Sequence, residues 1–260
     1  MEEPSVKQCC AAFYGSDLAR LLLGDSFHPG GTELTGRLGA LLDLTNDSRV
    51  LDVASGRGTS AFHLAESFGC KVVGVDLSEE NVRAAAAEAA NRGLDELVAF
   101  QLGDAERLPF EDGSFNAIVC ECAFCTFPSK SIAAQEFHRV LKPGGQVGLS
   151  DLTRTTEQLS GLEGLLSWIA CIGDALPVER YVRILEEAGF GIQRVEDHSD
   201  ALLEMVRQVQ AKLLGAEIMA GLRKIDLPGV DFTTGKQFAQ AAMQAVRDGK
   251  LGYGVITSRK

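Results

Sequence analysis

A short apolar run that ends in a Gly-x-Gly turn constrains the fold of this chain more than any other feature. Residues 50–53 read Val-Leu-Asp-Val, and Gly56 and Gly58 follow within five residues. Such a run is typical of a parallel strand covered on both faces, and glycines let the backbone turn tightly and approach a ligand. A helix is expected next, at about residues 60–68. Strand, glycine turn and helix together predict the ligand-binding corner of a doubly wound α/β sheet.

Two classes of cofactor use such a corner, and one acidic residue favours one class over the other. Residues 56–61 also fit the loose dinucleotide pattern G-x-G-x-x-G/A, so the glycines alone decide nothing. Asp52 lies four residues before the first glycine, where its carboxylate would repel a dinucleotide's pyrophosphate in a poorly screened site. S-adenosylmethionine has no phosphate and carries an ammonium and a sulfonium group. The carboxylate therefore favours S-adenosylmethionine.

The segments that follow continue this pattern in order. Residues 70–76 read as a second strand ending in Asp76, a carboxylate suited to hydrogen bonding both ribose hydroxyls. Residues 103–110 read Gly-Asp-Ala-Glu-Arg-Leu-Pro-Phe after a third strand, and residues 141–145 read Leu-Lys-Pro-Gly-Gly. With these motifs, residues 48–150 closely resemble the class I S-adenosylmethionine-dependent methyltransferases.

The resemblance implies a fold, a cofactor and the residues that bind it. The implied fold is a Rossmann-like, doubly wound sheet of seven strands, mostly parallel with the last strand antiparallel, and with an inserted helical cap. The implied cofactor is S-adenosylmethionine, with S-adenosylhomocysteine as its product. In the family's motifs the two glycines pack under the methionine part, the second acid holds the ribose, and the Gly-Asp-Ala segment meets the adenine. The expected cofactor-binding residues are Asp52, Ala54, Gly56, Gly58, Thr59, Asp76, Leu77, Asp104, Ala105 and Glu121.

The whole chain, residues 1–260, is predicted to form a single methyltransferase domain. Residues 1–47 are expected to form an N-terminal helical arm, and residues 48–150 the cofactor-binding core, in which strand and helix alternate as parallel βαβ units require. Residues 200–250 are expected to form a helical insertion, or cap, before a last strand at residues 251–258. Further helices are expected at residues 5–24, 30–44, 79–92, 130–141, 156–172 and 177–188, and strands at 145–151 and 190–196.

The composition predicts a cytoplasmic enzyme that acts on a small molecule. Hydrophobic residues make up 45% of 260 residues, enough to bury the core of one large domain. No apolar run approaches the roughly 20 residues that span a bilayer, and the acidic N-terminus Met-Glu-Glu-Pro lacks a signal peptide's positive charge. The net charge of −11 disfavours a nucleic-acid partner. No membrane partner is expected, and nothing in the sequence indicates the oligomeric state.

The seven cysteines offer the best indication of a substrate. They are Cys9, Cys10, Cys70, Cys120, Cys122, Cys125 and Cys171. An odd number without a secretion signal favours thiols over a disulfide scaffold. Residues 120–125 read Cys-Glu-Cys-Ala-Phe-Cys at the carboxyl end of the fourth strand, where open α/β sheets bind ligands. A plainer interpretation is that some of them pack in the core, because free cysteine behaves as a small hydrophobe.

The segments around Cys122 and Cys171, together with residues 136–145, carry a narrower resemblance to the arsenite methyltransferases. In that family the cysteines matching Cys122 and Cys171 bind trivalent arsenic, so these two are the candidate catalytic residues. Trivalent arsenic is soft, prefers thiolate ligands, and keeps a lone pair that can attack a methyl group. The family often carries a further cysteine after the glycine turn, where this chain has Ala61. The candidate replacement thiols are Cys9, Cys10 and Cys125.

The leading hypothesis is methyl transfer from S-adenosylmethionine to a thiol-bound trivalent metalloid such as arsenite. One alternative is a small organic acceptor, such as a quinone-type carbon, a thiol or an amine, which would need a base such as His28 or Asp151. Another is a non-catalytic, thiol-based metalloid sensor that binds tightly and transfers no methyl group. No resident metal site is predicted, because C-x-C-x-x-C with a distant cysteine lacks the two paired Cys-x-x-Cys motifs that are typical of structural zinc sites.

Overall fold

The computed structural model describes residues 28–155, 159–164, 167, 171–222 and 231–260. The strands are β1 Arg49–Val53, β2 Lys71–Asp76, β3 Val98–Leu102, β4 Phe115–Glu121, β5 Leu141–Arg154, β6 Gly191–Asp197 and β7 Leu251–Arg259. The helices are α1 Gly31–Leu41, α2 Thr59–Phe68, α3 Glu79–Arg92, α4 Lys130–Val140, α5 Val178–Glu187, α6 Ser199–Gly221 and α7 Phe232–Arg247, with one 3₁₀ turn at Phe124–Thr126.

One sheet holds all seven strands, in the order β3-β2-β1-β4-β5-β7-β6. β1, β2, β3, β4 and β5 pair in parallel, whereas β7 runs antiparallel to both β5 and β6. In β1 the four consecutive residues 50–53 are buried, so both faces of this strand are covered, as an apolar run predicts. The predicted seven-stranded sheet with an antiparallel last strand is confirmed.

The strand order reverses direction between β1 and β4, and this reversal positions the site. Chains leaving the carboxyl ends of two such strands turn to opposite sides and leave a crevice between them. Asp52 of β1 pairs in register with Gly74 of β2 and Val119 of β4, and Glu121 of β4 pairs with Ser150 of β5. The acidic residues of these strand ends therefore lie along one edge of the sheet.

Helix boundaries follow local capping chemistry where the sequence supplies it. Ser78 caps α3 by accepting a hydrogen bond from the Asn81 amide, and Gly93 ends the helix with a φ of 66°. Of the predicted helix at residues 156–172, Ser167 is helical, whereas residues 159–164 and 171–172 are not. Residues 159–164 are not helical, because Gly161 and Gly164 adopt φ values of 79° and 77°.

The helices α6 and α7 lie between β6 and β7 in the chain and pack against each other and against β7. This is the position predicted for the helical insertion, and its role as a cap over the substrate stays a prediction. Of the predicted N-terminal arm, α1 and the residues flanking it are described, and the helix predicted at residues 5–24 lies outside the described residues. Among the described helices, none is both long enough and apolar enough to cross a membrane.

Candidate functional site

The turn between β1 and α2 combines left-handed backbone with open space above it. Ala54, Gly56 and Gly58 have φ values of 59°, 54° and 86°. A Cβ atom on Gly58 would lie 2.5 Å from the ring of Phe100, so this glycine packs too closely for any side chain. At Gly56, by contrast, no atom of the described residues outside the turn itself lies within 4 Å of the Cβ position. The turn can therefore receive a ligand directly against the backbone at Gly56.

Asp52 is a buried carboxylate whose hydrogen bonding is incomplete. Asp52 is only 3% exposed, and its Oδ2 atom has no hydrogen-bond partner among the described residues. Burial first, and then the nearby carboxylates of Glu121 and Asp76, raise the pKa of Asp52 well above its ordinary value. A buried acceptor without a partner is costly, so this atom is suited to contacting a ligand that brings a donor or a positive charge.

Asp76, at the end of β2, holds the glycine turn in place. Its Oδ2 accepts a hydrogen bond from the Gly56 amide at 2.8 Å, and its Oδ1 accepts from the Ser78 amide at 2.8 Å and the Asn81 side chain at 3.2 Å. The residue is only 8% exposed. One carboxylate thus links the turn after β1 to the start of α3.

Glu121, at the end of β4, joins four elements through its two oxygens. Oε2 accepts hydrogen bonds from Ser60 at 2.7 Å and Thr35 at 3.0 Å, and Oε1 accepts from Ser150 at 3.3 Å. The Nε2 atom of His28 lies 3.5 Å from Oε2, and the Glu121 side chain is only 3% exposed. His28, a candidate base from the sequence, is therefore buried beside this carboxylate.

The remaining predicted cofactor residues lie at the same edge of the sheet. Thr59 is the first residue of α2, and Leu77 follows β2 with 38% exposure. Asp104 and Ala105 follow β3, where Asp104 Oδ1 accepts a hydrogen bond from the Glu106 amide at 3.0 Å. All ten predicted residues thus lie at or just beyond the carboxyl ends of β1, β2, β3 and β4.

Three cysteine side chains meet beyond the ends of β4 and β5. The thiol of Cys171 lies close to those of Cys122 and Cys125, and its Sγ donates to the Cys122 carbonyl oxygen at 3.6 Å. The contact with Cys171, followed by burial, raises the pKa of Cys122 well above its ordinary value. Burial, followed by Cys171, does the same for the pKa of Cys125. These groups are therefore protonated thiols at neutral pH.

Two of these cysteines have strained backbones. Among the described non-glycine residues, positive φ occurs at Asp43, Ala54, Cys122 and Cys171, with φ of 52° and 61° at the two cysteines. Such conformations cost an L-residue about 1–3 kcal/mol and persist where the surrounding structure enforces them, often at functional sites. A cysteine that merely fills the core needs no such backbone. The strain therefore distinguishes Cys122 and Cys171 from packing residues.

The buried carboxylate of Asp151 lies close to the thiols of Cys125 and Cys171. Asp151 accepts hydrogen bonds from the Cys125 amide and the Leu152 amide, both at 2.8 Å, and is only 2% exposed. Burial, together with the proximity of Cys171, raises the pKa of Asp151 to about 7. Asp151 can therefore change its protonation near neutral pH.

The other cysteines are placed differently. Cys9 and Cys10 lie outside the described residues. Cys70 is remote in the fold, where its thiol donates to the Leu64 carbonyl, and Cys120 is fully buried within β4. The described cysteines form no disulfide. Within the described part of the chain, no three His, Cys, Asp or Glu side chains are arranged to hold a metal ion.

The structure adds functional candidates that the sequence analysis did not name. Ser60, Thr35 and Ser150 all donate to Glu121, and Tyr253 of β7 donates to Ser150 at 3.1 Å. The only indication in the sequence was their position: Ser60 lies at the start of a helix after the glycine turn, and Ser150 lies near the end of a strand. Nothing in their spacing indicates that they meet.

Comparisons with known proteins identify relatives of this architecture. Residues 50–145 match the family described as a methyltransferase domain. The 27-O-demethylrifamycin SV methyltransferase of Amycolatopsis mediterranei is 27% identical over 94% of this chain and 93% of its own length. A phosphoethanolamine N-methyltransferase of Triticum aestivum is 33% identical over 71% of this chain. The match covers only 36% of the length of that wheat protein. An uncharacterized protein of Haemophilus influenzae is 35% identical to this chain, and the match covers 66% of that protein's length.

Solved structures extend the similarity of fold. Phosphoethanolamine N-methyltransferase 2 of Haemonchus contortus, solved with S-adenosyl-L-methionine, superposes with a TM-score of 0.81 at 21% identity over 100% of this chain and 60% of that one. The [4+2]-cyclase SpnF superposes with a TM-score of 0.78 at 23% identity, over 99% and 97% of the two chains. Because the second protein is named a cyclase, the fold alone does not define the reaction.

Proposed function

The chain belongs to the class I S-adenosylmethionine-dependent methyltransferases, and from that premise we propose that it methylates a small acceptor held by Cys122 and Cys171. The leading substrate is a thiol-bound trivalent metalloid such as arsenite. The observation that carries this proposal is the proximity of two cysteine thiols, of half-buried Cys122 and buried Cys171, whose backbones are both strained.

The residues at the carboxyl edge of the sheet fit S-adenosylmethionine. The space over Gly56 and the unpartnered Oδ2 of Asp52 suit a ligand that brings positive charge close to the backbone. Asp52, the turn at residues 54–59, Asp76 and Leu77, the segment at Asp104 and Ala105, and Glu121 would hold it. When bound, this cofactor supplies an electrophilic methyl group on a positively charged sulfur.

The thiol pair suits an acceptor that arrives as a conjugate with small thiols. Each protein thiol would form one sulfur–arsenic bond as another sulfur–arsenic bond breaks, and the thiol proton would pass to the departing thiol. This exchange consumes no free hydroxide. Because the pKa of Cys122 is raised, its thiol must give up its proton to the departing thiolate as the new sulfur–arsenic bond forms. Two sulfur ligands leave the arsenic lone pair free for the methyl group.

Burial supports the transfer step as well as the loading step. Cys125 and Cys171 are 1% and 2% exposed and Cys122 is half-buried, so water would be excluded from most of the space around these thiols. Attack by a lone pair on a methyl group needs positioning and desolvation rather than a strong base. The chain's own contribution is to fix the acceptor through Cys122 and Cys171 beside the cofactor turn.

A second candidate function, methylation of a small organic molecule, is favoured by the names of the relatives. Those relatives are named for a demethylrifamycin and for phosphoethanolamine. An organic acceptor that loses a proton would need a base, and two buried groups qualify. Asp151, whose pKa is about 7, lies under the thiols, and His28 lies beside Glu121.

A methyl-transfer assay tests the proposal. Reduced protein, labelled S-adenosylmethionine, arsenite and excess small thiol should yield methylated arsenic. We expect Cys122→Ser and Cys171→Ser each to lower the rate at least about tenfold, because serine is a poor ligand for soft trivalent arsenic. Cys70→Ser is the matched control, since that thiol is buried elsewhere and a serine keeps the donor to Leu64. It should retain the wild-type rate.

Other outcomes separate the alternatives. Methylation that persists in the Cys122→Ser, Cys171→Ser double variant would contradict the proposed ligands. Binding of S-adenosylmethionine without any arsenic methylation would favour an organic acceptor. Tight arsenite binding through the two cysteines without methyl transfer to any acceptor would indicate a sensor.

A further inference from the structure

Lys130 is a buried lysine in an energetically unfavourable place. It is the first residue of α4 and only 7% exposed, and the N-cap residue Ser129 supplies no side-chain hydrogen bond to the helix. A buried ammonium group loses its solvation by water, and a positive charge at a helix N-terminus opposes the helix dipole. Neither helix formation nor core packing therefore accounts for a lysine at this position.

The Lys130 ammonium group joins two segments that each begin with a proposed acceptor ligand. It donates to the Phe127 carbonyl oxygen at 3.1 Å, within the Cys122 segment, which we define as residues 122–130. It also forms an ion pair with the Asp174 carboxylate, within the Cys171 segment, which we define as residues 171–176. One buried cation therefore ties the two cysteine-bearing segments together.

The Cys171 segment is held from two sides. On one side its amides at Ile172 and Gly173 donate to the Ser167 carbonyl oxygen at 2.8 and 2.9 Å. On the other side lies the ion pair with Lys130. The first residue of the segment has a φ of 61°, and such strained backbone persists only where the surrounding contacts enforce it. The ion pair is one of the contacts that can enforce it.

We propose that Lys130 and Asp174 are positioning residues, whose ion pair holds the Cys171 segment against the Cys122 segment and so sets the separation of the two thiols. The inference rests on the proposed binding of the acceptor by both thiols. A buried ion pair adds little stability over an apolar pair of similar volume, so geometry explains its presence better than stability does. Without the Asp174 carboxylate the buried ammonium group is uncompensated, which favours a shift of the two segments that admits water.

A reagent that needs both thiols tests the inference without methyl transfer. Phenylarsine oxide is a trivalent arsenical that forms one sulfur–arsenic bond to each of two adjacent thiols, while its oxygen leaves as water with the two thiol protons. The second bond forms at an effective concentration set by the separation of the thiols, so the affinity reports that separation. The parent protein should carry Cys9→Ser and Cys10→Ser, because that adjacent pair would also bind the reagent.

We expect the reduced parent protein to bind one phenylarsine oxide across Cys122 and Cys171 and to retain it against excess small monothiol, as measured by intact mass spectrometry. Asp174→Asn should weaken this binding at least about tenfold, because the thiols separate. Alkylation of Cys171 by iodoacetamide, which needs only one thiol, should become faster. Asp174→Glu keeps the charge, has room because Asp174 is 41% exposed at its side chain, and should restore most of the affinity.

A second variant covers the case in which Asp174→Asn does not fold. Lys130→Met has a similar volume and leaves unpaired only the partly exposed carboxylate, so we expect it to fold and to bind S-adenosylmethionine as the parent does. It should lose phenylarsine oxide affinity as Asp174→Asn does, and the double variant should lose no more than either single variant. Glu88→Gln, which breaks an exposed ion pair with Arg92 on α3, is the matched control and should change none of these measurements.

The outcomes separate this inference from the proposed function. Unchanged phenylarsine oxide affinity in folded Lys130→Met would overturn the positioning role, and so would an equal loss of S-adenosylmethionine binding. If Cys122→Ser bound the reagent as tightly as the parent protein, the proposed acceptor ligands would be wrong and the inference would fall with them. Binding across both thiols with no methylation of arsenite would overturn the metalloid substrate alone and leave the positioning role in place.

Discussion

At the scale of single residues, Cys122 and Cys171 combine three properties that core cysteines rarely share. Both have left-handed backbones, their thiols contact each other, and Asp151 lies close by with a raised pKa. Each property has an energetic cost in the unliganded protein, through strain, burial of polar groups or like charge. Binding of an acceptor by both thiols would recover part of that cost. The features of Cys122 and Cys171 that lower the stability of the unliganded protein would therefore favour acceptor binding.

The strain at Cys122 predicts an unusual ranking of substitutions. Cys122→Gly should be more stable than Cys122→Ala by about 1 kcal/mol, because only glycine adopts a φ of 52° without cost. Urea denaturation of both variants measures the difference. At Cys120, which lies in a regular buried strand, the ranking should be reversed. Equal stability of the two Cys122 variants would show that the positive φ carries no strain.

The buried carboxylate of Asp151 predicts a dependence of stability on pH. Its pKa is about 7 in the folded protein and near 3.8 when unfolded, so the folded state holds the proton more strongly. Stability from this group is therefore present below about pH 4 and is lost as pH rises towards 7, by at most about 4 kcal/mol. Urea unfolding of the wild type and of Asp151→Asn, compared between about pH 4 and pH 7, measures this contribution of Asp151 to the free energy of unfolding. A constant difference between the two proteins would contradict the raised pKa.

At the scale of elements, the turn between β1 and α2 is fixed by one carboxylate and one ring. Asp76 holds the Gly56 amide, and Phe100 packs against Gly58. Glu121 then binds the first turn of α2 through Ser60 and binds β5 through Ser150. The glycine turn and the segment carrying Cys122 are thus both held by Glu121.

The two turn glycines should respond differently to the same substitution. Gly58→Ala places a methyl group 2.5 Å from Phe100 and should destabilise the protein by about 2–4 kcal/mol. Gly56→Ala meets open space, so its loss of stability should be only about 1 kcal/mol from the positive φ. Its methyl group would occupy the ligand's space, and the Kd for S-adenosylmethionine should rise at least about tenfold. Similar effects of the two substitutions on stability, or unchanged binding by Gly56→Ala, would contradict this assignment.

The elements also show what sequence could and could not predict. Period and capping signals located α3 and β7 nearly to the residue, because those signals are local. The helix expected at residues 156–172 is not formed at residues 159–164, since the conformations of Gly161 and Gly164 outweighed the apolar pattern there. The contacts of Glu121 with Ser60 and Thr35 join residues 61 and 86 positions apart. Such contacts depend on packing of the whole sheet and leave no local pattern.

At the scale of the whole molecule, the reversal of strand order between β1 and β4 places the two proposed binding sites side by side. Asp52 and the glycine turn follow β1, whereas Glu121 and Cys122 follow β4. The sheet therefore predicts a cofactor site and an acceptor site that adjoin but use different side chains. Ligands that bind the folded state alone stabilise it by an amount set by their concentration and Kd.

Thermal unfolding should distinguish the two sites within one molecule. S-adenosylmethionine at about one hundred times its Kd should stabilise the protein by about 2.7 kcal/mol, which for a chain of this size raises Tm by roughly 5–10 °C. Arsenite with excess small thiol should add a separate increase. In the Cys122→Ser, Cys171→Ser variant the increase from arsenite should disappear while that from S-adenosylmethionine remains, since the thiols lie outside the glycine turn. If both increases disappeared together, the thiols and the cofactor turn would form one binding site, and the separation of functions between β1 and β4 would be wrong.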